Sequence, residues 1–75
     1  MYIVYGKNNC GFCKNAVNIL QWKKVAYEYI KLEDLDHEFK VNLVAKYKIN
    51  TVPIILYNDE LIGGIDQLRE HFSIK

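Results

Sequence analysis

The chain has little with which to hold a small protein together covalently. Its 75 residues include only two cysteines, Cys10 and Cys13. A disulfide between positions so close would close almost no loop. It therefore cannot serve as the staple that many folds below about 70–80 residues need. Ordinary packing must carry the stability, and the thiols are free for other work. Hydrophobic residues make up 51% of the sequence, enough for a core, although a domain this short buries only about 60% of its unfolded surface. Charge of one sign is also missing. The net charge is +1, and Lys23–Lys24 is a pair rather than a patch, which argues against nucleic-acid binding. No hydrophobic run is long; Pro53–Tyr57 is far too short to span a bilayer. Met1–Tyr5 lacks the basic start and small-residue cleavage site of a signal peptide. The expectation is a cytoplasmic, reducing compartment, where a Cys-x-x-Cys pair is catalytic or metal-binding rather than structural. With no repeat, linker or low-complexity segment, residues 1–75 are read as a single domain.

The periodicity predicts seven elements. Tyr2–Tyr5 is a short β-rich run, read as a strand buried on both faces. Gly6–Asn9 are turn formers. The one proline lies far downstream, and Phe12–Val25 contains neither Gly nor Pro. A helix is predicted from about Cys10 to Lys24, with Cys13, Ala16, Val17 and Leu20 on one face. Val25–Leu32 reads as a second, more exposed strand. Asp34 is the expected N-cap of a second helix carrying Leu35, Phe39, Leu43 and Tyr47. Lys48–Val52 is a loop and Pro53–Tyr57 a third strand, with proline tolerated at its first residue. Asn58–Glu60 is a turn, Leu61–Ile62 a fourth strand, and Ile65, Leu68 and Phe72 mark a final helix. The predicted order is βαβαββα.

Cys10-Gly11-Phe12-Cys13 carries the strongest chemical signal. It follows a strand and opens a helix, the context in which this spacing reads as thioredoxin-like. Only a thiolate attacks a disulfide. At a helix N-terminus, unsatisfied N–H groups and the positive end of the dipole stabilise that anion, and Lys7 and Lys14 add positive potential. Cys10 is thus the expected nucleophile, with Cys13, one turn inward, the resolving thiol. The rival reading is zinc, for which His37 and His71 would complete a Cys2His2 count. They stand far apart in sequence on separate predicted helices, and no metal is expected. Otherwise both histidines read as solvated helix residues. Trp22, Tyr27, Tyr29, Tyr47 and Tyr57 read as packing aromatics, and Glu33, Asp34 and Asp36 as an acidic helix start.

Thr51-Val52-Pro53 adds a second signal. A cis Val52–Pro53 bond opposite Cys10 would leave the Val52 backbone unpaired for an extended substrate. In Gly63-Gly64-Ile65-Asp66, the glycines permit close approach of a ligand, the helix start suits a carboxylate, and Asp66 suits an ammonium group. Taken singly, this stretch is also a plain turn before a helix.

Together these motifs resemble the small dithiol glutaredoxins of bacteria and bacteriophages, over essentially the whole chain. Tyr5–Cys13 resembles their first strand and active-site loop, Thr51-Val52-Pro53 their cis-proline motif, and Gly63–Leu68 their Gly-Gly-x-Asp helix start. The resemblance implies a thioredoxin-like α/β fold: a four-stranded mixed sheet, the first two strands parallel and the last two antiparallel, flanked by helices. It implies a glutathione-dependent thiol–disulfide oxidoreductase that reduces protein disulfides and glutathione mixed disulfides, with glutathione as electron donor. Lys7 matches the lysine that holds the glycine carboxylate of glutathione. Phe12 lies in the same site. Thr51, Val52 and Pro53 match the lining of its cysteinyl part, and Gly64, Ile65 and Asp66 the receiver of its γ-glutamyl end. A further basic position before the cis-proline loop matches either Lys46 or Lys48. Gly11-Phe12 departs from the family's common Pro-Tyr and is the pair seen in cluster-binding monothiol glutaredoxins. That keeps a glutathione-ligated [2Fe–2S] carrier as one alternative; an electron carrier fed by a flavin-dependent thioredoxin reductase is the other. Disulfide-bearing proteins, ribonucleotide reductase among them, are the implied partners of a monomer.

Overall fold

Alternation along the strands decides which face of the sheet each helix covers. In the computed structural model, which describes residues 1–74, β1 (Tyr2–Gly6), β2 (Tyr27–Lys31), β3 (Ile54–Tyr57) and β4 (Glu60–Gly63) form one sheet in the order β2-β1-β3-β4. β1 and β2 run parallel, with Tyr2 opposite Tyr27 and Gly6 opposite Lys31. β3 runs antiparallel to both β1 and β4. A parallel pair needs a long crossover, which α1 (Gly11–Trp22) supplies. α2 (His37–Tyr47) and α3 (Ile65–His71) complete the expected order, the first two strands parallel and the last two antiparallel.

Successive strand residues point to opposite faces. Tyr2, Val4 and Ile55 pack with Ala16 and Leu20 of α1 and Leu68 of α3. Tyr5, Ile54 and Leu56 pack on the other face with Leu43 of α2 and the partly buried Ile3. Helices therefore cover both faces, and β1 is buried on both sides except at the half-buried Ile3.

Several boundaries differ from the sequence reading. Asp34 is not an N-cap. Leu32–Asp34 forms a 3₁₀ turn, closed by the Leu35 N–H on the Leu32 carbonyl at 3.1 Å, and Asp36 stands at the start of α2. Leu35 is apolar because it packs into the second core cluster before the helix begins. α1 stops at Trp22, since Lys24 takes a left-handed φ of 56°. Val17 is only half-buried, while Ile19 packs against the core. Trp22 is not a core residue: it is 64% exposed, with Lys23 Nζ 4.5 Å from its ring centroid, a cation–π contact. β4 begins at Glu60, which pairs with Tyr57. The turn is therefore only Asn58–Asp59, both at positive φ, as a two-residue primed hairpin requires.

Gly63 ends β4 at a φ of 126°, where an added Cβ would lie 2.8 Å from Gln67 Cγ. The Gln67 Oε1 in turn accepts the Gly64 N–H at 2.9 Å, capping α3. Gly63→Ala is expected to cost about 1–3 kcal/mol, through backbone strain and displacement of Gln67. A urea titration checks it; an unchanged midpoint would show that the turn adapts.

Candidate active site

The chemistry-bearing residues gather where β1 ends. After Gly6 the chain turns through Lys7, Asn8 and Asn9, with Asn9 at a φ of 56°, a conformation asparagine tolerates better than most residues. Cys10 follows as the extended N-cap of α1. Its Sγ accepts the Cys13 N–H at 3.2 Å, and its carbonyl accepts the Lys14 N–H at 3.1 Å, the first bond of the helix. A side-chain acceptor at this position satisfies a donor that the helix leaves unpaired. A thiolate there would accept the same N–H more strongly, because charge-assisted hydrogen bonds exceed neutral ones.

Cys10 and Cys13 are joined in a disulfide, their Cα atoms 5.2 Å apart. Cys13 is fully buried, and Cys10 retains 7% exposure. Of the two cysteines, only Cys10 keeps any exposed surface. Phe12, between them, is 62% exposed. A side chain at Gly11 would meet nothing within 4 Å.

The other motifs come to the same end of the sheet through strand register. Tyr5 pairs with Ile54, so Pro53 sits just beyond the pairing, at the level of Gly6. The Val52–Pro53 bond is cis, Pro53 is buried, and Thr51 is exposed. Gly63 pairs with Ile55 and delivers Gly64 beside the proline: an added Cβ on Gly64 would lie 3.8 Å from the Pro53 carbonyl. Ile65 is half-buried and Asp66 exposed in the first turn of α3. The Gly64 N–H, expected to be available to a ligand carboxylate, is instead occupied by Gln67. Lys46 Nζ lies 5.2 Å from the Tyr47 ring centroid on α2, whereas Lys48 is the left-handed residue that ends that helix.

The histidines stand elsewhere. His71 Nε2 is 2.8 Å from Tyr2 Oη, at the opposite end of β1 from Cys10, and stacks edge-on with Tyr2 and Phe72. It is exposed on α3, as expected of a solvated helix residue, and is in addition a member of an aromatic cluster. Among the described residues, no three His, Cys, Asp or Glu side chains converge as metal ligands. A cavity of about 330 Å³ beneath α2, walled by Tyr5, Phe39, Leu43, Lys46, Tyr47 and Leu56 among others, includes Lys46 but neither cysteine and none of the Thr51–Pro53 or Gly63–Asp66 residues.

Two residues read as packing or as helix start in fact touch the loop before Cys10. Tyr29 Oη donates to the Lys7 carbonyl at 3.1 Å. The Glu33 carboxylate accepts the Asn8 N–H, at 3.2 and 3.4 Å from its two oxygens. Nothing local in the sequence marks either contact, since the partners are 22 and 25 residues apart.

Comparison with known proteins points the same way. Residues 2–62 match the glutaredoxin family model, ending one residue short of Gly63. The chain is 33% identical over 87 aligned positions to the glutaredoxin of Enterobacteria phage T4, covering 97% of this chain and all of that protein. It is 35% identical over 65 residues to a probable glutaredoxin of Synechocystis sp., and 32% identical over 69 residues to glutaredoxin-2 of Schizosaccharomyces pombe. Those alignments cover 87% and 89% of this chain, but only 60% and 63% of those proteins' lengths. In fold it superposes on a buckwheat glutaredoxin–glutathione complex with a TM-score of 0.87 at 23% identity, over 96% of this chain and 67% of that one. A dithiolic glutaredoxin of Trypanosoma brucei gives 0.84 at 22%, over 96% and 76%.

Proposed function

The chain belongs to the glutaredoxin family, and from that premise we propose that it is a glutathione-dependent thiol–disulfide oxidoreductase in which Cys10 attacks and Cys13 resolves. The observation that carries the reading is the Cys10–Cys13 pair at the start of α1, the outer sulfur accepting the Cys13 N–H and the inner one buried. In the reduced protein the Cys10 thiolate attacks one sulfur of a substrate disulfide. A mixed disulfide forms, and the other substrate sulfur leaves as a thiolate that takes a proton. The Cys13 thiolate then attacks Cys10 Sγ, releasing the second substrate thiol and closing the Cys10–Cys13 disulfide. One glutathione thiolate reopens it by attacking Cys10 Sγ. A second attacks the resulting glutathione mixed disulfide, so two glutathiones leave as one glutathione disulfide and Cys10 is regenerated.

In this reading the tripeptide lies across the sheet end. Lys7 meets its glycine carboxylate, Thr51, Val52 and Pro53 line its cysteinyl part beside Phe12, and Asp66 meets its ammonium group. The γ-glutamyl carboxylate meets the N–H groups of Ile65 and Asp66, with Gln67 swinging aside to add that of Gly64. That a buckwheat relative is known as a glutathione complex supports this choice of ligand. Residues 1–75 act as one domain and as a monomer, in the cytoplasm, on disulfide-bearing proteins such as ribonucleotide reductase.

Lys7→Glu combined with Asp66→Lys reverses both charges offered to glutathione. Turnover coupled to glutathione and glutathione reductase is expected to fall about tenfold or more, and the native activity to weaken with added salt, which screens exposed pairs. Reduction of the Cys10–Cys13 disulfide by dithiothreitol is expected to stay near native. Native turnover with glutathione in the double variant would overturn the site, and activity with thioredoxin reductase would then identify the donor.

A further inference from the structure

One peptide group in the loop before Cys10 is held at both edges. The Lys7 carbonyl and the Asn8 N–H belong to the same peptide plane, where they point in opposite directions. Tyr29 Oη, from β2, donates to the carbonyl at 3.1 Å. The Glu33 carboxylate, from the 3₁₀ turn after β2, accepts the N–H at 3.2 and 3.4 Å. Turning this plane would break both contacts at once. Gly6 makes the grip possible: an added Cβ there would lie 2.7 Å from Tyr29 Cζ, so any larger residue would push the ring away from the loop. The parallel register of Gly6 with Lys31 brings the two segments together.

We propose that Tyr29 and Glu33 are positioning residues that fix the Lys7–Asn8 peptide and so aim the Lys7 ammonium at a carboxylate of the incoming thiol substrate. The proposal rests on the glutathione reading and deepens it. A loop already held in its binding geometry does not lose that freedom on association, which favours affinity without new contacts. Both gripping groups act through the backbone and need not touch the reacting sulfurs, so their effect falls on binding and not on the chemical step. Burial, and after it the charge of Glu33, raises the pKa of Tyr29, while its bond to Lys7 lowers it; the net direction is upward. The hydroxyl thus keeps its proton and remains a donor.

Three variants separate the parts. Tyr29→Phe keeps the ring against Gly6 and removes the donor. Glu33→Ala removes the acceptor, and Glu33→Gln retains an amide oxygen that can accept the same N–H. Tyr29→Phe and Glu33→Ala are expected to raise the KM for glutathione about three- to tenfold, the range for loss of one hydrogen bond, with kcat within about twofold. Glu33→Gln is expected to restore most of the affinity. In a Lys7→Met background, Tyr29→Phe is expected to raise KM no further, because the residue it aims is gone. Hydrogen exchange at the Asn8 amide reads the grip without glutathione and is expected to accelerate about tenfold in Tyr29→Phe and Glu33→Ala. Native exchange in both variants would overturn the proposal. So would faster exchange with an unchanged KM, provided Lys7→Met itself raises KM. A native KM for Lys7→Met, with Asn8 exchange still accelerated by the two variants, would instead overturn the glutathione role of Lys7 and uphold the grip.

Discussion

Cys10→Ser is expected to abolish oxidoreductase activity altogether, and Cys13→Ser to split it. No other thiol stands at a helix start among the described residues, since Cys13 is the only other cysteine and is fully buried. A serine hydroxyl at position 10 would still cap α1 by accepting the Cys13 N–H, so the fold is expected to survive. It cannot, however, form the thiolate that attacks sulfur. In Cys13→Ser the attacking sulfur and its place at the helix start remain. Free glutathione can then resolve a glutathione mixed disulfide from outside, and that activity is expected to persist. Reduction of protein disulfides through the internal dithiol is expected to be lost. The check is a pair of NADPH-coupled assays, one on a glutathionylated small thiol and one on a protein disulfide. If Cys13→Ser were inactive on both and Cys10→Ser active, the two roles would be exchanged.

Leu20→Ala is expected to remove much of the stability of the domain. Leu20 is fully buried among Tyr2, Val4, Ala16, Ile55 and Leu68, where α1, α3 and one face of the sheet meet. Truncating a buried leucine costs about 2–5 kcal/mol, through lost transfer energy and the cavity left behind. A core of this size seldom supplies more than about 3–5 kcal/mol, so the variant is expected to be largely unfolded at 37 °C. Val41→Ala serves as the control. Val41 is half-exposed on α2, and such a surface change is expected to stay within about 0.5 kcal/mol. Urea titrations followed by circular dichroism compare the two. A native midpoint for Leu20→Ala would show that the site collapses around the missing atoms and that stability resides elsewhere.

Most of the architecture was legible because it is written locally. The run Tyr2–Tyr5, the Gly- and Pro-free stretch after Phe12 and the four-residue spacing of Phe39, Leu43 and Tyr47 each declare an element through their own periodicity. Expectation and structure part where a local pattern has two structural readings. Leu35 fits the spacing of α2 yet precedes it, because an extended apolar residue just after the 3₁₀ turn can face the same core as one in the helix. Trp22 reads as packing because it ends an amphipathic helix. The turn at Lys23 and Lys24 leaves it at the rim, where Lys23 covers its ring. Asp34 fits an N-cap by residue type, but it closes a 3₁₀ turn instead, and α2 starts two residues later behind Asp36.

By itself the sequence determined the order of elements and the placing of Cys10 at a helix start with Cys13 one turn inside. Both are consequences of short-range geometry: the spacing of two thiols, and the donors that every helix start leaves unpaired. Only the tertiary structure decided that Tyr29 and Glu33 grip the Lys7–Asn8 peptide, that Gln67 occupies the Gly64 N–H, and that His71 joins Tyr2. The first and last of these link residues far apart in the chain, and they depend on strand register and on how far a side chain reaches across it. The Gln67 contact is short in sequence, and it stands where Gly63, at a φ of 126°, carries the chain from β4 into α3, a backbone conformation that glycine permits and that the meeting of those two elements selects.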